Sequence, residues 1–297
     1  MDGHNLKDNI MDQIREKILL SIKNLSNYHI RLYGRSYLDF WKIKNEFLKE
    51  QSKDIHHLLG MGREPLSNID ECIQYWKSYC TSIIPRPWNI LHEKYHDLNM
   101  HKQDIEIFDY AAGQGQASIL LLDHFYDNGK YWISRNKVKK INLIDKSNYA
   151  VNLGKDILNI HSPEIAKENI YSLCKDINDL VLEDFSPNSE SYKIHLFSYI
   201  LDMGVIDSKK LIEKILAVKG KHFIWATSQQ SDRDWNKNQA GKYYFDEFYE
   251  ELDNQINYSQ NVVRKAQRYQ IDLLKDKFNT SNKELPCAIF GRYIEVK

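Results

Sequence analysis

Between Ile105 and Leu122 the chain reads IEIFDYAAGQGQASILLL, and no other stretch constrains its fold as tightly. Ile105-Glu-Ile-Phe-Asp109 alternates apolar and polar residues and ends on an acid, the pattern of a strand running into a turn. Ala111, Ala112, Gly113 and Gly115 follow, all small, and Ala117 to Leu122 is an apolar run suited to a buried helix. Strand, small-residue turn and helix form the half-unit with which parallel α/β sheets hold nucleotide-like ligands. Such ligands lie over the carboxyl end of the strand, near the helix N-terminus.

The chain beyond this unit repeats the alternation. Strands are expected at Lys140 to Asp145, Asn169 to Asp176, Tyr192 to Ser198 and Lys221 to Thr227, the first two ending in acids. Helical spacing marks Ala150 to Ile157, Ser208 to Val218 and Tyr243 to Leu252. Two β-rich runs, Val262 to Leu274 and Cys287 to Val296, close the chain, and Asn279-Thr-Ser-Asn282 would let them pair as an antiparallel hairpin. Asn128-Gly129 is a turn signal. The expected fold is α/β: a doubly wound, mostly parallel, seven-stranded sheet over 101–297.

Residues 1–100 read as a helical cap that shapes a substrate pocket on that sheet. Ile10, Ile14, Ile18, Ile22 and Leu25 share one helix face, and Ser67 is placed to cap a helix carrying Ile69, Cys72, Ile73 and Trp76. The mixture of aromatics and arginines here, Arg35, Trp41, Trp76 and Arg86 among them, suits core packing or a substrate clamp. His56-His57 and the pair His92 and His96 read as surface histidines, since no HExxH accompanies them. His195 and His222 fall within expected strands and read as structural.

Lys+Arg and Asp+Glu balance at 41 each, so net charge gives no support for non-specific binding to nucleic acid. The four cysteines form no CxxC pair, so no metal site is expected, and their scatter suits reduced cytoplasmic thiols. A polar, acidic N-terminus and the lack of a long apolar run point away from a secretory signal or a membrane span.

Asp109-Tyr-Ala111-Ala-Gly113-Gln-Gly115 resembles the first motif of class I S-adenosylmethionine-dependent methyltransferases, an acid followed by glycines at alternate positions. The resemblance runs from about Ile105 to Lys297 and implies a Rossmann-like methyltransferase domain with S-adenosylmethionine as cofactor. On that basis Asp109, Ala111, Ala112, Gly113, Gln114 and Gly115 would cradle the methionine and sugar portions. Asp145 would accept from the ribose hydroxyls, and Asp176 from the adenine amino group. Ala111 stands where the family usually has its first glycine. Ser198 and the residues after it would face the transferred methyl, leaving Tyr199 or Asp202 to orient or deprotonate an acceptor.

The acceptor is unspecified: RNA, the ribosome or a small molecule would all suit. Gly113-Gln-Gly115-Gln-Ala117-Ser118, Ser198-Tyr-Ile-Leu and Ile84-Pro-Arg-Pro are also similar to ribosomal small-subunit-associated methyltransferase-like proteins, whose clustered metal-binding cysteines this chain lacks. Two alternatives remain, a non-catalytic assembly module on the same fold and an NAD(P)-dependent Rossmann oxidoreductase. The latter fits less well, because GxGxxG loses its third glycine at Ser118 and the acid precedes the turn.

Overall fold

The structure, a computed structural model, describes residues 64–68, 71–72, 75, 102–127, 130–131, 137–228, 239–258, 262–265, 269–274 and 285–297. Most of the expected helical cap therefore lies outside the described residues, with both histidine pairs, the named arginines and the turn at 128–129.

Five parallel strands form the centre: β1 (Ile105–Tyr110), β2 (Val138–Asp145), β3 (Ile170–Cys174), β4 (Tyr192–Ser198) and β5 (Gly220–Ser228). After them come β6 (Val262–Lys265), β7 (Tyr269–Leu274) and β8 (Leu285–Val296). The spatial order is β3-β2-β1-β4-β5-β8-β6, with β7 also paired to β8, which runs antiparallel to β5. The first five positions reproduce the doubly wound order, with its reversal of direction beside β1. The expected sixth strand, 262–274, is two segments that pair with successive parts of β8, so the sheet counts eight. Between β3 and β4 the described backbone holds only short 3₁₀ turns, Ile177–Asp179 and Leu182–Phe185.

Helices α1 (Gln116–His124) and α2 (Asn148–His161) pack on one face of the sheet, α3 (Ser208–Leu216) and α4 (Gln239–Tyr258) on the other. β1 serves both layers: Ile105 and Ile107 join the core beneath α1 and α2, while Phe108 and Tyr110 join the core beneath α3 and α4. All six of its residues are buried. The polar–apolar alternation of β1 thus marks two covered faces, and not one wet and one dry. The Ser189 hydroxyl donates to one oxygen of its buried Glu106, and the other oxygen is buried without a hydrogen-bond partner among the described residues.

A chain of buried polar groups crosses β1, β4 and β5. His222 Nε2 lies 2.8 Å from the Val218 carbonyl, His195 Nε2 lies 3.0 Å from His222 Nδ1, and the Tyr110 hydroxyl lies 2.8 Å from His195 Nδ1. The carbonyl can only accept, and this sets every proton. His222 donates from Nε2, His195 donates from Nε2 to His222 Nδ1, and Tyr110 donates to His195 Nδ1. Both imidazoles are neutral in this arrangement. Burial lowers the pKa of both, that of His222 to about 4. At the far edge, Arg292 of β8, 1% exposed, forks onto Asp253 of α4 at 2.8 Å to each oxygen.

Candidate functional site

The turn after β1 is built from left-handed backbone. Ala111, Gly113 and Gly115 have φ of 52°, 52° and 76°. Glycine adopts such angles without penalty, whereas alanine does not. Ala112 N–H donates to the Ile144 carbonyl of β2 at 3.0 Å, and Gly115 N–H to the Ala112 carbonyl at 2.8 Å, so the turn is tied to the neighbouring strand and to itself. Asp109 secures the helix that follows, its Oδ2 accepting from Ser118 N–H at 3.1 Å and from the Ser118 hydroxyl at 2.7 Å. A carboxylate reaching from β1 to the first turn of α1 also suits the positive end of the helix dipole. Asp109 is 1% exposed, and burial pushes its pKa up to about 7.

Asp145 closes β2 and reaches across to the turn. Its Oδ2 accepts from Gly113 N–H at 3.0 Å and its Oδ1 from Ser147 N–H at 2.8 Å. Burial raises its pKa and these amides oppose the rise. Ser147 caps α2 by accepting from Ala150 N–H at 3.1 Å. Asp176 lies two residues beyond β3, where it caps a 3₁₀ turn through Asn178 N–H at 2.9 Å. Its Oδ2 pairs with Lys146 Nζ at 2.7 Å. Partial burial acts to raise its pKa, but the bonds from Lys146 and Asn178 outweigh this and hold it low.

A solvent-open cleft lies over the carboxyl ends of these strands. Ala111 lines it from β1, Asp145 and Lys146 from β2, and Lys175, Asp176 and Ile177 from β3. Ile200, Met203 and Val205 follow β4, and Glu64 and Pro65 come from the N-terminal region. Its volume is about 520 Å³ when counted out to open solvent. The cleft lies where an open α/β sheet binds ligands, at the switch in strand order.

Three of the nine residues expected to bind cofactor, Ala111, Asp145 and Asp176, line this cleft; Asp109, Ala112, Gly113, Gln114, Gly115 and Ser198 do not. The glycines were expected to leave room for ligand, yet a Cβ on Gly115 would meet Leu143 and Leu158 of the core, at 3.4 to 3.6 Å. One on Gly113 would meet Tyr75 and Gln116, both at 3.7 Å. These are ordinary contact distances, so it is the left-handed backbone that calls for glycine at both positions. Gln114 is fully buried and its Nε2 donates to the Cys72 carbonyl at 2.6 Å. Ser147 donates to the Leu66 carbonyl at 2.5 Å. Two peptide groups of the N-terminal region are thus held by side chains on either side of the turn. Leu66 and Cys72 are buried in the core, where burial pushes the Cys72 thiol up to about 12.

Sequence reasoning missed Glu64, Pro65, Leu66 and Gly154. A Cβ on Gly154 of α2 would lie 2.8 Å from the Gln114 carbonyl carbon, so only glycine lets α2 approach the turn. The available signal was a glycine inside an otherwise regular helical pattern. The expected Ser67 cap is displaced by one residue. Asn68 Oδ1 accepts from Glu71 N–H at 2.9 Å and its carbonyl from Cys72 N–H at 3.1 Å, while Glu71 turns back to Ser67.

Beyond β4 the chain turns sharply at Tyr199, whose φ of 59° is unusual for a bulky residue. Tyr199 N–H donates to the Thr227 carbonyl at 2.8 Å. Asp202 accepts from the Ser228 hydroxyl at 2.6 Å, and burial raises its pKa despite that bond. The Ser198 hydroxyl is buried with no hydrogen-bond partner among the described residues. None of these three lines the cleft, although Ile200 and Met203 between and beside them do. Among the described residues no three metal-ligating side chains converge, and no helix is long and apolar enough to cross a membrane.

No family model matches this sequence, and no curated protein does. Several solved structures are similar. One is the plantazolicin methyltransferase BpumL in complex with a monoazolic desmethylPZN analog and SAH, at 13% identity and TM-score 0.42, covering 73% of this chain and 85% of that one. A second is a SAM-dependent methyltransferase from Anabaena variabilis, at 12% identity and TM-score 0.41, covering 78% and 97%. A third is the complex of aTrm5 with a leucine tRNA, at 12% identity and TM-score 0.35, covering 69% and 45%. The strand order, more than these distant likenesses, characterises the fold.

Proposed function

We propose that this chain, which has a Rossmann-like methyltransferase fold, binds S-adenosylmethionine in the cleft and transfers its methyl group to an acceptor. The observation that carries this reading is that Asp145 and Asp176 line one cleft, from the ends of adjacent parallel strands, beside a left-handed turn tied to one of them. A carboxylate offers about four acceptor positions. Gly113 and Ser147 N–H engage two on Asp145, and Asn178 N–H and Lys146 two on Asp176, so both retain capacity for ribose hydroxyls and an adenine amino group. Pro65, Ile177 and Ile200 supply apolar wall for a purine. S-adenosylmethionine brings the reactive methyl on its sulfonium.

The protein's share of the chemistry is placement, since aligning donor and acceptor removes much of the barrier to such a transfer. Asp109 fixes the turn by holding α1 against β1. Of Tyr199 and Asp202, which follow β4, Asp202 is the better candidate to accept a proton, because it is a carboxylate and burial strengthens it as a base. The strained Tyr199 backbone is the kind of conformation retained where function requires it.

Calorimetric titration of the full chain with S-adenosylmethionine and S-adenosylhomocysteine tests the donor site. Saturable binding of both is expected, and no heat from either at millimolar concentration would sink the reading.

A further inference from the structure

Three carboxylates line the cleft, and two are already engaged. Asp145 accepts from two backbone amides, and Asp176 pairs with Lys146. The other lysine of the cleft, Lys175, is held by Asp184 at 2.8 Å. Glu64 is the third carboxylate, exposed, with no hydrogen-bond or ion-pair partner among the described residues. Its place at the rim is fixed two residues on, where Leu66 is buried in the core and its carbonyl takes the Ser147 hydroxyl proton. Among the described residues each lysine of the cleft is matched by its own acid, which leaves Glu64 as the exposed carboxylate of the cleft without a partner there.

We infer that Glu64 is a specificity-determining residue that supplies the counter-charge for a cationic donor. This rests on the reading of the cleft as the S-adenosylmethionine site. S-adenosylmethionine carries a sulfonium and an ammonium against one carboxylate and is a net cation. S-adenosylhomocysteine has lost the sulfonium charge and is net neutral. An unpaired carboxylate at the rim therefore favours the charged donor over the spent one, and it lies outside the strand-turn-helix unit that the sequence marks as the cofactor site.

Calorimetry on the full-length wild type and Glu64→Gln, with both ligands at low and moderate salt, tests this. Glu64 is exposed, so the substitution leaves the fold intact, and thermal denaturation checks that it does. The expected result is an S-adenosylmethionine affinity lowered about fivefold, the upper range for an exposed ion pair, with S-adenosylhomocysteine affinity changed less than about twofold. The salt dependence of S-adenosylmethionine binding should shrink in the variant. Equal losses for the two ligands, or no loss for either, would overturn the inference while leaving the donor site standing. Failure of the wild type to bind either ligand would overturn both.

Discussion

Ala111 holds a backbone angle that favours glycine, at the one turn residue that also lines the cleft. The left-handed conformation costs an L-residue roughly 1–2 kcal/mol, and glycine would remove that strain. Glycine also loses more freedom on folding, by roughly 0.5–1 kcal/mol relative to alanine. The difference favours the variant. Ala111→Gly is expected to raise stability by up to about 1 kcal/mol, read as a higher denaturant midpoint with an unchanged slope. A lower midpoint would mean that the Ala111 methyl packs to advantage, outweighing the strain. The same comparison shows what the sequence disclosed at this scale. The motif marked Ala111, Asp145 and Asp176, which do meet in the cleft. It also marked Gln114 and the two glycines, whose spacing says where the backbone must turn but not which way a side chain or a missing Cβ faces.

Among the elements, the central strands were the most legible, because short apolar runs between polar stretches leave few alternatives, although β3 stops at Cys174, short of the expected Asp176. The helix after β3 was never marked and is replaced by two 3₁₀ turns. The least legible contact was that between α2 and the turn, since close approach of two backbones has no hydrophobic signature. Gly154 carries it. In an exposed helix an alanine there would gain roughly 1 kcal/mol. Here its Cβ would lie 2.8 Å from the Gln114 carbonyl carbon and 3.1 Å from both Gln114 Cα and the carbonyl oxygen. These are backbone atoms that cannot swing aside, and overpacking of this kind costs roughly 1–3 kcal/mol. Gly154→Ala is therefore expected to lower stability by about 1–2 kcal/mol and to weaken S-adenosylhomocysteine binding by displacing the turn. A variant at least as stable as wild type, with unchanged affinity, would show that α2 can draw back from the turn.

The whole sheet depends on polar groups that hydrophobic patterning treats as interruptions. Tyr110, His195 and His222 link three adjacent strands, and each depends on the proton carried by the next. Deleting a middle member should be worse than deleting two neighbours. His195→Phe keeps a ring where His195 stacks on Phe108, at 5.1 Å between centroids. It removes the acceptor for the Tyr110 hydroxyl and the donor to His222 Nδ1, and each buried group left unpaired costs roughly 1–3 kcal/mol. The single variant is expected to lose at least about 2 kcal/mol. Adding Tyr110→Phe takes away one of the two orphaned groups, so the double variant should recover part of the loss. The histidines' share of the pH dependence has a definite sign, opposite to that of buried Asp109, whose pKa is raised to about 7. With its folded pKa depressed to about 4, His222 contributes stability that is present above the ordinary histidine pKa. That stability is lost as pH falls from about 6.5 towards 4, where the unfolded chain binds the proton that the folded chain refuses. His195 is depressed in the same direction and adds to the loss. Denaturation of wild type, single and double variants at several pH values across that window checks both expectations. A double variant no more stable than His195→Phe, or a stability advantage of wild type over His195→Phe that does not shrink as pH falls through the window, would show that the chain is not protonated as the Val218 carbonyl requires.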